Sequence, residues 1–214
     1  MRDVILAHGL WVPGVVMQPL AARLERAGFR CRTFSYMGSK RPLAVHAERL
    51  ARMAHEAGPA HFIGHSLGGL VVLAALNGHP EVEVGRVVLL GTPASGCHAG
   101  RRLARYRLGR WFLGQSGELW RERHPAGREG RAARWTRPEA LGVLAGSLPF
   151  GLGRILGALP GVNDGVVSLE ETAVEGMAER AVLPVGHSQM LISARVAEHA
   201  AQFLSHGHFP PPLR

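Results

Sequence analysis

A short apolar run, Ala60-His61-Phe62-Ile63, ends at Gly64, and a helical pattern (Leu67, Leu70, Val71, Ala74, Ala75) begins almost at once. A strand that gives way to a helix so quickly has to turn sharply. The turn reads Gly64-His65-Ser66-Leu67-Gly68, a match to G-x-S-x-G. Small residues two places either side of Ser66 are what such a turn needs, because the backbones there approach too closely for a Cβ. A serine so placed points its hydroxyl off the sheet edge into a cleft, beside the N-terminal amides of the following helix. That is the placement of a nucleophile. With 28 Gly and ten Ser in 214 residues, the pentapeptide alone arises by chance about 0.2 times per chain. The rest of the chain has to supply the context.

The context is an alternation of strands and helices. Val4 to Ala7 reads as a strand entering His8-Gly9-Leu10-Trp11, and Gln18 to Ala27 as a helix with Pro19 near its start and Gly28 as its stop. Phe29 to Ser35 alternates apolar and polar as a half-buried strand does, and Pro42 to Glu56 is a second helix. After the Leu67–Leu76 helix, Val87 to Leu90 is a buried strand closing on Gly91-Thr92-Pro93. Residues 94–137 carry no strand pattern. The alternation resumes with a strand at 141–145 and a last strand at 180–185. A closing helix follows from Gln189 to Leu204, with Ile192, Val196, Ala200 and Phe203 on its apolar face. Continuous apolar strands alternating with helices predict a parallel sheet covered on both faces. The expected architecture is α/β and doubly wound, with about six strands. Residues 1–93 and 138–214 form one core, and 94–137 are an insertion. A chain of this length buries roughly 70% of its unfolded surface as a single domain.

A serine hydroxyl is a poor nucleophile at neutral pH and needs a base, which in turn needs an orienting carboxylate. On a sheet of this type they follow in the order serine, acid, histidine, each at the carboxyl end of a strand. The chain has two aspartates. Asp3 precedes the first strand, whereas Asp164 sits in the turn Asn163-Asp164-Gly165 after a strand. Glu139 precedes its strand and falls at the opposite edge; Glu170 and Glu171, at a helix start, remain alternative acids. Of twelve histidines, four follow Asp164. His199 lies inside the closing helix and His206 and His208 in the tail, so His187, in the last strand-to-helix turn, is the candidate base. The oxyanion formed on attack needs two donors. The Leu67 amide, next to the nucleophile, is one. The Leu10 amide, in the loop after the first strand where Gly9 permits close approach, is the other. His8 either shapes that loop or is an ordinary turn residue. His8, Trp11, His65 and Phe150 are the candidate pocket residues.

His8-Gly9-Leu10-Trp11, Gly64-His65-Ser66-Leu67-Gly68-Gly69, Asn163-Asp164-Gly165-Val166-Val167-Ser168 and Gly186-His187-Ser188, in that order, resemble the α/β-hydrolase family, and within it the bacterial lipase/esterase branch. The resemblance covers nearly all of the chain outside 94–137. It implies Ser66 as nucleophile, Asp164 as acid and His187 as general base. The chain starts directly at the strand bearing the His-Gly loop, so it is similar to a minimal version lacking the usual first two strands. Residues 94–137 stand where the family carries a cap or lid. The expected reaction is carboxylic ester hydrolysis through an acyl-enzyme, with no metal and no cofactor. Thioester or amide hydrolysis, or acyl transfer to an alcohol, would use the same residues.

The formal net charge is +9, yet 94–137 hold eleven Arg against three Glu, while the rest holds 14 basic and 13 acidic residues. Basicity confined to one segment, with no RNA- or DNA-binding motif, argues against nucleic acid as a partner, and the resemblance implies a small-molecule or lipid ester instead. A non-enzymatic binder using the basic segment is the alternative from another class. Arg101, Arg102, Arg105, Arg107 and Arg110 are interleaved with Tyr106, Trp111, Phe112 and Trp120. Such a segment suits anionic lipid head groups or a substrate phosphate, or is simply a solvated basic cap. Leu148, Phe150, Leu152, Ile155 and Leu156 suit an acyl pocket or ordinary packing. Cys31 and Cys97 read as small buried residues. The chain opens Met1-Arg2-Asp3 with no apolar leader, and its longest apolar run, 141–162, is broken by Arg154, two prolines and six glycines. A cytoplasmic protein is the expectation.

Overall fold

The computed structural model describes residues 1–10, 13–107, 111, 113–115, 133–150, 159 and 161–211. Six strands form one parallel sheet in the order β2-β1-β3-β4-β6-β8. They are β1 (Asp3–Ala7), β2 (Arg30–Phe34), β3 (Ala60–His65), β4 (Val84–Leu90), β6 (Leu141–Gly146) and β8 (Glu179–Leu183). Helices α1 (Gln18–Arg26), α2 (Leu43–Ala57), α3 (Leu67–Gly78), α4 (His98–Ala104) and α5 (Ala194–His206) connect or follow them.

The period of two along each strand divides the core into two layers. Ile5, Ala7 and Phe62 face α2 and α3, packing with Leu50, Leu70 and Val71. Val4, Leu6 and Ile63 face α1 and α5, packing with Leu20, Leu24, Val196 and Phe203. Because both faces are covered, the central strands have no polar stripe, which is why Val4 to Ala7, Phe62-Ile63 and Val87 to Leu90 read in sequence as apolar runs.

Two expectations are corrected. The closing helix does not begin at Gln189. Ser188–Leu191 form one 3₁₀ turn, and α5 starts after Ser193, whose hydroxyl accepts from the Val196 amide at 3.3 Å. Ile192, expected on the apolar face of that helix, lies in the break and is exposed, whereas Val196, Ala200 and Phe203 are buried as expected. The segment 94–137, expected to lack strands, contributes β5 (Ala133–Arg134), paired in parallel with β7 (Val174–Glu175). A two-residue strand leaves no periodicity to read. Among the described residues, no helix is long and apolar enough to cross a membrane.

Candidate active site

The loops that matter leave the carboxyl ends of neighbouring strands. Ser66 follows β3, Gly91 follows β4, Asp164 lies beyond β6 and His187 beyond β8, and these four strands are consecutive in the sheet. A hollow of about 500 Å³ bounded by Met1, Phe29, His61 and Arg86 lies at the other, amino end of the strands, away from this chemistry.

Ser66 has φ 55° and ψ −124°, and it is the one non-glycine residue at positive φ among those described. Such a conformation costs about 1–3 kcal/mol and persists only where the surroundings impose it. Here they do. The Ser66 amide donates to the Leu90 carbonyl at 2.9 Å. A Cβ on Gly64 would come within 2.4 Å of the Gly69 Cα, and one on Gly68 within 2.2 Å of the Ala7 carbonyl oxygen. Gly68→Ala is therefore expected to destabilise the protein by more than about 3 kcal/mol, since backbone has to move to admit the methyl group. A urea unfolding curve checks this, and an unchanged midpoint would refute the close packing of elbow and β1.

His187 and Asp164 meet. His187 Nδ1 lies 2.7 Å from Asp164 Oδ2, and the His187 main-chain amide donates to the Asp164 carbonyl at 2.9 Å. A carboxylate only accepts, so the proton of this bond sits on Nδ1. Asp164 is 1% exposed, and its other oxygen accepts from the amides of Val166 at 2.9 Å and Val167 at 2.7 Å. Glu171, the alternative acid from sequence, instead bonds Ser168 and His98.

His65, a candidate pocket residue, is buried. Its Nε2–H donates to the His187 carbonyl at 3.1 Å, and the two rings sit 4.8 Å apart. Burial, aided by the neighbouring His187, pushes its imidazole down to about 3. It stays neutral, with Nδ1 lacking a partner among the described residues. His65 thus ties the loop carrying His187 to the turn carrying Ser66.

His8 is buried too and shapes its loop. Its Nδ1 bonds the Gly9 carbonyl at 2.8 Å, and Nε2 accepts from the Tyr36 amide at 3.1 Å. The Tyr36 hydroxyl donates to the His8 carbonyl at 2.8 Å, and the rings stack at 4.5 Å. This clamp presents Gly9 to the elbow: a Cβ there would lie 3.1 Å from Ser66 Cβ. Leu10 and Leu67 also converge, each placing a methyl carbon 3.0 Å from where a Cβ on Gly38 would stand. The Leu67 amide opens α3, among the amides that a helix leaves unbonded at its positive end. Phe150 is 66% exposed, while its main chain lies against Gly165 and Gly186, neighbours of Asp164 and His187. Trp11 lies outside the described residues, as do Arg110, Phe112, Trp120, Leu152, Ile155 and Leu156.

Sequence reasoning missed Gly91 and Tyr36. Gly91 has φ +52°, and a Cβ there would fall 2.9 Å from Asp164 Oδ2 and 3.1 Å from His187 Nδ1. Its signal was present, a glycine directly after a buried strand, but its neighbours come from segments far along the chain. Burial pushes the Cys97 thiol up to about 12, so it behaves as a packing residue. Among the described residues, no group of three or more His, Cys, Asp or Glu is arranged to hold a metal ion.

The parallel sheet, the strained elbow after β3 and the acid and histidine loops beyond β6 and β8 together define the α/β-hydrolase fold. Solved structures with this fold superpose on nearly the whole chain. A lipase from Bacillus licheniformis in its mature form matches with a TM-score of 0.70 at 18% identity, over 95% of this chain and 91% of its own. A carboxyl esterase of metagenomic origin matches with 0.66 at 17% identity, over 96% and 76%. A bromoperoxidase from Bacillus anthracis matches with 0.63 at 13% identity, over 95% and 91%. No protein-family model matches the sequence, and no curated protein does.

Proposed function

We propose that the protein is a serine hydrolase of carboxylic esters, working through an acyl-enzyme. The observation that carries this reading is the 2.7 Å bond between His187 Nδ1 and the buried Asp164 carboxylate, on loops that leave the same end of the sheet as the strained Ser66. With Nδ1 committed to Asp164, Nε2 takes the Ser66 proton as Oγ attacks the ester carbonyl. Asp164 stabilises the resulting imidazolium, which protonates the departing alcohol. Water then repeats the sequence on the acyl-enzyme. The Leu67 and Leu10 amides receive the oxyanion, with α3 directing its positive end there. Structures described as a lipase and a carboxyl esterase share the fold and support the reading. Fold by itself does not select a reaction.

Residues 94–137 act as the cap. Exposed Tyr106 and Trp111 beside Arg101, Arg102 and Arg107 suit contact with an anionic lipid surface, and the substrate is an ester with an apolar acyl group. The test is a fluorophosphonate probe together with p-nitrophenyl acetate, butyrate and octanoate. A covalent adduct at Ser66 and faster turnover of butyrate and octanoate than of acetate are expected. No adduct and no turnover of any of the three would end the ester-hydrolase reading.

A further inference from the structure

Glu171 is a carboxylate in the interior, 5% exposed, and its two oxygens serve two different segments. Oε2 accepts from the Ser168 amide at 2.9 Å and the Ser168 hydroxyl at 3.0 Å. Oε1 accepts from the His98 amide and pairs with His98 Nδ1 at 2.8 Å. Ser168 closes the loop that carries Asp164: it bridges to Asn163, and within the loop the Asp164 amide donates to the Val167 carbonyl at 3.1 Å. His98 opens α4, the first element of the 94–137 segment. Ser95, three residues earlier, donates its amide to the Glu171 carbonyl at 2.9 Å, and its hydroxyl reaches the carbonyls of Glu170, Glu171 and Ala173.

A carboxylate buried this way adds little net stability, because losing its water costs about as much as its partners return. What it secures is geometry. We propose that Glu171 is a positioning residue that holds Asp164 against His187, anchoring the acid loop to the root of the 94–137 segment. The proposal rests on the ester-hydrolase reading for its effect on rate, but not for its effect on the Asp164–His187 bond. Ser168 and His98 each present a main-chain N–H to a different oxygen, and neither donor can be turned round. An amide side chain offers one acceptor and one NH₂, so Glu171→Gln leaves one of those N–H groups facing another. The Asp164 loop or the root of α4 has to shift.

The experiment compares wild type, Glu171→Gln and Ser168→Ala by steady-state kinetics on a short p-nitrophenyl ester, by thermal melting, and by the proton NMR resonance of His187 Nδ1–H. In Glu171→Gln, kcat is expected to fall by about tenfold to a hundredfold, with KM little changed and the deshielded His187 resonance displaced or broadened. Ser168→Ala, which keeps the amide and loses only the hydroxyl, is expected to move both in the same direction by less. A folded Glu171→Gln with wild-type kcat and resonance overturns the proposal, and so does a lowered kcat with the resonance unmoved. If Glu171→Gln does not fold, Ser168→Ala decides on the same two readouts. Should wild type itself neither label nor turn over, the ester reading fails, and the resonance alone then tests the Glu171 proposal.

Discussion

Ser66→Ala is expected to lower kcat on a short carboxylic ester by about a millionfold, while the protein melts where wild type does. The first half follows from the proposed mechanism, in which the Ser66 Oγ forms the acyl bond. In serine hydrolases losing the nucleophile costs about 10⁶ in kcat, and about 10³ over water survives through the oxyanion donors and binding. The second half follows from what the hydroxyl does not do. It makes no capping bond to α3, and the strained φ of 55° is imposed by Gly64 and Gly68 meeting the backbone of the elbow and of β1, not by the side chain. Alanine occupies the same conformation, and a change within about 0.5 kcal/mol is expected for so quiet a position. Initial rates and a thermal melt on one preparation check both halves. Residual turnover within tenfold of wild type would place the nucleophile elsewhere.

Under the proposed mechanism Asp164→Asn is expected to cost about 10⁴ in kcat, the scale seen when the acid of a Ser-His-Asp triad becomes an amide. The Val166 and Val167 amides both point at one carboxylate oxygen, and main-chain donors accept no substitute for an acceptor. The asparagine oxygen therefore stays with them, and the NH₂ turns toward His187 Nδ1, 2.7 Å away in wild type from the other oxygen. A donor there makes Nδ1 the acceptor and moves the ring proton to Nε2. An imidazole protonated on Nε2 cannot take the Ser66 proton. The loop keeps its shape while the base has the wrong tautomer. Burst and steady-state kinetics with the same ester measure the loss. A fall of less than tenfold would mean that another carboxylate orients the ring.

Much of the candidate site was legible because its parts are locally specified. Gly64 is required by Gly69 only five residues on, and Gly68, which the packed structure sets against the backbone of β1, was visible through the G-x-S-x-G pattern. Asn163-Asp164-Gly165 announces a turn, and His187 sits in the only strand-to-helix turn late enough in the chain. The buried strands were visible because burial on both faces leaves runs such as Val87-Val88-Leu89-Leu90 without a polar residue. The break at Ser193 and the two-residue β5 were not, since neither leaves a period.

The sequence by itself determined the strand and helix alternation, the elbow at Ser66 and the order in which acid and histidine follow it. Each depends on periodicity or on steric limits among near neighbours. Tertiary structure alone decided that Gly91 lies under the Asp164–His187 pair, that His65 holds the His187 carbonyl from 122 residues away, and that Glu171 serves Ser168 and His98 rather than the imidazole. Those pairings come from the strand order β3-β4-β6-β8. Which loops share the rim of a sheet is a property of the packed sheet as a whole, and no local pattern of residues carries it.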